Sequence, residues 1–113
     1  MIQPKEIRIG NYYQGASRGN IKIVTWQTLR DLSEGKLNLL PIPLTEEILL
    51  KCGFTHKGNG FYEILGKFIE LCNIGDEFYN TGFKGVSIGK IYFVHQLQNI
   101  FFSLCGEELT FKK

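Results

Sequence analysis

The chain has 113 residues, enough for one domain and too few for two ordinary ones. Hydrophobic residues make up 43% and include nine Phe, five Tyr and one Trp, so a core can form without a metal or disulfides. The formal charge of +2 comes from Lys112 and Lys113, and the other eleven basic residues match the eleven acidic ones. That balance excludes a grip on duplex DNA by charge alone.

Charge is nonetheless uneven along the chain. Residues 1–30 carry Lys5, Arg8, Arg18, Lys22 and Arg30 against Glu6, whereas residues 31–80 hold eight acidic residues against four basic ones. Cys52, Cys72 and Cys105 are odd in number and far apart, which fits reduced thiols rather than a secreted disulfide framework. No apolar run reaches the roughly 18 residues of a membrane span, and the start lacks a signal-peptide core. The expected setting is the cytoplasm, with no membrane partner.

In chain order, Ile7-Arg8-Ile9 alternates before Gly10-Asn11 and Tyr12-Tyr13. Gly15 to Asn20 reads as a turn, and Ile21 to Trp26 as a β-branched strand, which together predict an N-terminal hairpin. Leu29 to Leu40 shows no clear period and is expected to be a loop. Pro41-Ile42-Pro43 makes an extended connector, because a residue before proline avoids the helical region. Thr45 is an N-cap for a short helix with Glu46 and Glu47 in its first turn, and Gly53 stops it with Phe54 folding back.

A β-meander follows: Phe61–Ile64, Lys67–Cys72, Glu77–Tyr79 and Val86–Phe93, separated by glycine-bearing turns. Val94, Leu97, Phe101 and Leu104 then form one stripe of a last helix that ends before Gly106. Leu109–Phe111 could add an edge strand. The expected class is α+β: one domain over residues 1–113, a curved mainly antiparallel sheet of hairpin plus meander, packed by two short helices.

The chemistry-bearing residues have simpler structural readings. Cys52 and His56 are four apart, but Gly53 interrupts the helix that would bring them together, so no metal site is expected. Cys105 lies ten residues after His95, nearly three helical turns away, and reads as a core thiol rather than a nucleophile. Glu63 and Glu70 could face each other across two strands, yet their apolar neighbours suit the solvent face of a half-buried sheet. Gly82 to Lys90 resembles a phosphate loop only superficially. Three residues rather than four separate Gly85 from Gly89, and Ile91 stands where Ser or Thr would hold magnesium. No cofactor and no enzyme activity are expected.

Two surfaces remain. Arg8, Tyr12, Tyr13, Arg18, Lys22 and Arg30 mix aromatic faces with cations, which suits a nucleotide or short single strand. Ordinary solvated charge competes with that reading, and Trp26 and one tyrosine are assigned to the core. On the last helix, His95, Asn99 and Phe102 lie opposite the apolar stripe and suit a protein partner or self-association. Cover on both sides of that helix is the structural alternative.

Three stretches carry a resemblance: Ile2-Gln-Pro4-Lys-Glu-Ile-Arg-Ile-Gly-Asn-Tyr12, Pro41 through Gly53-Phe54, and Val94-His-Gln-Leu-Gln-Asn-Ile-Phe-Phe-Ser-Leu-Cys-Gly-Glu-Glu-Leu109. Over nearly its whole length the chain resembles uncharacterised small proteins encoded by phages and prophages of gut anaerobic bacteria. The resemblance implies a phage product acting in the bacterial host cytoplasm. It supplies no catalytic residue, and the chain departs from the pattern at Leu29–Leu40 and in its cysteines. The expected function is a non-enzymatic accessory binding protein, such as a counter-defence factor that contacts a host protein. The alternative is a binder that sequesters a signalling nucleotide or short nucleic acid through the first hairpin.

Overall fold

The computed structural model describes residues 7–14, 21–35, 39–64, 66–73, 78–109 and 111. The class is α+β, and the described residues form three helices, a two-stranded sheet and a five-stranded sheet, both antiparallel. The elements are β1 (Tyr12–Gln14), β2 (Ile21–Ile23), α1 (Trp26–Ser33), α2 (Glu46–Lys51), β3 (Thr55–Gly58), β4 (Phe61–Ile64), β5 (Ile69–Asn73), β6 (Tyr79–Phe83), β7 (Val86–Ile91) and α3 (Val94–Cys105). The chain divides into two compact units, residues 1–43 with 93–100 and residues 44–92 with 101–113. The two units thus alternate along the sequence, each built from two separate stretches. Among the described residues no helix is long and apolar enough to cross a membrane.

In the first unit, β1 pairs with β2 in the register Tyr12–Ile23, Tyr13–Lys22, Gln14–Ile21. The hairpin is therefore present, but as its own sheet rather than as part of one curved sheet. Its second strand is shorter than the sequence suggested, because Thr25, itself still extended at φ −115° and ψ 176°, caps a helix that begins at Trp26. Thr25 and Thr28 bond reciprocally, each backbone N–H donating to the other's hydroxyl at 3.1 and 3.3 Å. This capping box starts α1 in a segment that the sequence reading divided between strand and loop. Leu29 and Leu32 turn inward toward Ile7, Tyr13, Val24 and Leu39, the core of this unit.

A buried polar network docks the N-terminal segment on the first part of α3. The Tyr12 N–H donates to Gln98 Oε1 at 2.7 Å, and Gln98 Nε2 donates to the Gly10 carbonyl at 3.2 Å. Gln98 is thereby bonded to both sides of a backbone stretch, as a neighbouring strand would be. Asn11, fully buried, accepts from the Arg8 N–H at 2.8 Å and donates to Asn99 Oδ1 at 2.9 Å. On its far side β1 exchanges backbone bonds with Leu40, Gln14 N–H to its carbonyl at 2.9 Å and the reverse at 3.2 Å.

In the second unit, the strand order is β3-β4-β5-β6-β7. Tyr62, Leu71 and Thr81 lie in register on a buried face, while Glu63, Glu70, Gly82 and Ser87 lie in register on the other. Strand β3 carries no sequence signal, since its residues Thr55, His56 and Lys57 are exposed and show no apolar alternation. The final strand expected at Leu109–Phe111 is not among the elements, and Thr110 lies outside the described residues. Helix α2 follows expectation closely. Thr45 Oγ1 accepts from the Ile48 N–H at 3.3 Å. Gly53 at φ +98° then closes a Schellman motif, with Gly53 N–H to Leu50 O and Phe54 N–H to Leu49 O, while Phe54 and Leu49 bury together at the helix end.

Two substitutions check these assignments by urea denaturation. Gln98→Leu keeps the volume but strands the Tyr12 N–H and Gly10 carbonyl, with an expected loss of about 2–4 kcal/mol. Gly60→Ala places a methyl 2.6 Å from the Asn73 carbonyl oxygen at φ +79°, with an expected loss of about 1–3 kcal/mol.

Candidate functional site

The hairpin residues picked out by sequence fall into different roles. Arg8 is occupied with backbone: its guanidinium donates to the Ile9 carbonyl at 3.2 Å and to the Gln98 carbonyl at 3.1 Å. Tyr13 is buried in the core and Tyr12 is half-buried, so Tyr13 offers no ring face to a ligand. Arg18 lies outside the described residues. Lys22 is exposed, and Arg30 holds its guanidinium 5.2 Å from the Trp26 ring centroid and 3.9 Å from Asp31 Oδ1. Of the proposed cationic aromatic set, Lys22 and Arg30 thus remain on the surface.

Trp26 joins them, contrary to its expected place in the core. It is the first residue of α1 and 61% exposed, and Arg30 follows it four positions later on the same helix face. Nearby in sequence, Ile9 (54%), Ile21 (46%) and Ile23 (54%) are also exposed. Strand β2 shows no buried residue at all. The missed signal was Thr25-Trp-Gln-Thr28, a cap sequence that moves Trp26 from a strand to the outer face of a helix start. Four large apolar side chains of one unit are thus left exposed, with the exposed cations Lys22 and Arg30 near them in sequence.

The α3 surface expected from His95, Asn99 and Phe102 does not form. His95 is 1% exposed, its ring parallel to Phe93 with centroids 6.0 Å apart. Asn99 is spent on Asn11. Only Phe102 of the three is exposed. The physical reason is that the side of α3 bearing Gln98 and Asn99 is occupied by residues 8–12, which the helical wheel treated as solvent.

In the second unit, Glu63 and Glu70 do stand opposite each other, on the outer sheet face as the alternation required. Lys57 Nζ lies 4.0 Å from Glu63. The two carboxylates border a cleft of about 440 Å³ with Phe68 and Lys84. Phe68 adopts φ +61°, rare for a bulky residue, and its carbonyl accepts from the Lys84 N–H at 2.9 Å. Beside it, Gly82 leaves a shallow concavity of about 150 Å³ lined by Phe61, Glu70, Cys72, Asn80 and Ser87. The segment from Gly82 to Lys90 is the β6–β7 hairpin, turning at Lys84 (φ +51°) and Gly85 (φ +83°) as a two-residue hairpin turn does.

Catalytic groups stay apart among the described residues. His56 Nδ1 is 3.8 Å from Glu46 Oε1, beyond hydrogen-bond reach, and its ring stacks on Tyr62 at 4.8 Å. Among those residues no three His, Cys, Asp or Glu side chains converge as metal ligands. Cys52 caps α2 in the core, where burial pushes its thiol up to about 12 and keeps it neutral. Against known proteins, the chain matches no family model, no curated protein and no solved structure.

Thiol chemistry tests this placement. Iodoacetamide at pH 8 is expected to label Cys72 and Cys105, both half-exposed, and to spare Cys52 until the protein is unfolded. Mass spectrometry showing early Cys52 labelling in the folded protein would contradict the core assignment.

Proposed function

We propose that this chain is a non-enzymatic accessory binding protein that contacts a host protein, in the manner of a phage-encoded counter-defence factor. The observation that carries the reading is the exposed apolar group Ile9, Ile21, Ile23 and Trp26 on the first unit. Aliphatic side chains of this size, left in water beside cations, complement another protein's surface better than a base or a phosphate. Trp and Arg are also the side chains most often found to anchor protein interfaces. The phage resemblance supplies the host context.

A second reading, a nucleotide or short single-strand binder, draws support from the Trp26–Arg30 stack beside Lys22. A base can lie on the indole while the guanidinium meets a phosphate. Arg8 and Tyr13 no longer serve it, since one bonds backbone carbonyls and the other is buried.

Capture from host lysate at physiological salt separates the two. Wild-type chain is expected to retain a discrete host protein, and Ile23→Lys or Trp26→Ala to lose at least about tenfold of it. Calorimetry with cyclic dinucleotides and oligonucleotides is expected to show no heat. Capture that both variants leave unchanged, or tight nucleotide binding, would overturn the protein-partner reading.

A further inference from the structure

We infer that β2 is a docking edge to which an extended, acidic segment of the partner protein adds as a third strand. This deepens the host-protein reading and rests on it. Tyr12 sends its N–H away from β2 to Gln98, and Gln14 sends both its N–H and its carbonyl away from β2 to Leu40. In an antiparallel ladder, inward and outward pairs alternate. Tyr13 and Lys22 therefore bond each other, while Ile21 and Ile23, opposite Gln14 and Tyr12, aim their N–H and C=O groups outward from β2.

On that outer side no further strand is paired among the described residues, since the sheet consists of β1 and β2 alone. Two outward residues separated by one inward residue set the spacing of a β ladder, which another extended backbone matches along its length. The side chains agree. Ile21 and Ile23 share one sheet face and are both about half exposed, so an added strand would cover them with its own alternate residues.

Charge selects the occupant. Residues 1–43 carry six basic residues against three acidic, with Lys22 at the middle of the edge. A second copy pairing about a twofold axis at Lys22 would set two lysines opposite each other, a destabilising cross-strand pair. Lysine at the centre of an edge is also a standard guard against self-pairing. An acidic strand meets the same lysine favourably.

The test uses the full chain, with acetyl-Thr-Val-Glu-Val-Glu-Val-Thr-amide as the probe and its lysine-for-glutamate counterpart as the control. Amide hydrogen exchange followed by NMR is expected to slow at Ile21 and Ile23 by at least about tenfold with the glutamate probe, and to change little at Lys22. Ile23→Pro removes an outward N–H while sparing the β1 pairing, and is expected to weaken the probe about tenfold, whereas Ile23→Val retains it. If Ile23→Pro does not fold, N-methylation of alternate probe amides removes the same bonds from the other side.

No protection up to millimolar probe, or equal protection by the lysine peptide, overturns the inference. A dimer in light scattering that Ile23→Pro dissolves assigns the edge to a second copy and overturns it too. Host-protein capture that survives Ile23→Pro but fails with Ile23→Lys overturns strand addition and leaves the protein-partner reading standing. Protection by the probe without any captured host protein does the reverse.

Discussion

The side-chain amide of Gln98 takes the place of a missing strand. Its oxygen and nitrogen bond the Tyr12 N–H and the Gly10 carbonyl, and its side chain is almost wholly buried. Backbone polar groups withdrawn from water need partners, and a single carboxamide supplies one donor and one acceptor at the right separation. With Leu40 bonding Gln14, the outer side of β1 is closed, and among the described residues no strand pairs with the outer side of β2. The arrangement that fixes the N-terminal segment therefore also decides which edge of the hairpin is paired among the described residues.

Around this bond the polar residues Arg8, Asn11 and Asn99 are drawn into structure. Arg8 spans two carbonyls, and Asn11 joins the Arg8 N–H to Asn99. Groups with the chemistry to bind a ligand are thereby committed to holding residues 8–12 against α3. What stays exposed includes the apolar side chains Ile9, Ile21, Ile23 and Trp26 together with Lys22 and Arg30. The proposed protein contact rests on these exposed apolar side chains.

The second unit follows a plainer rule. Its alternation puts Tyr62, Leu71 and Thr81 inside and Glu63, Glu70 and Ser87 outside. The like-charged pair of Glu63 and Glu70 costs a little where it stands, and Lys57 offsets part of that cost on the solvent side. Phe68 in its left-handed conformation is held by the Lys84 N–H, and the Lys84 ammonium lies 5.6 Å from the Phe68 ring centroid. Burial on one face and mutual screening on the other account for the sheet without invoking chemistry.

What the sequence determined by itself was everything set by local rules. The α+β class, the hairpin, the Thr45-to-Gly53 helix with Phe54 folded back, and the Glu63–Glu70 register follow from caps, turn glycines and a period of two. Even α1 was written there, in Thr25 and Thr28, although a β-branched run beside them pointed to a strand. Tertiary structure alone decided the roles of residues that local pattern leaves undetermined. Gln98 and Asn99 look like solvent-facing helix residues until a segment nearly ninety positions earlier bonds to them, and His95 looks exposed until its side of α3 is covered. The reason is physical: a helical wheel reports which residues share a face, but whether that face meets water or another stretch of backbone depends on contacts between residues far apart in sequence.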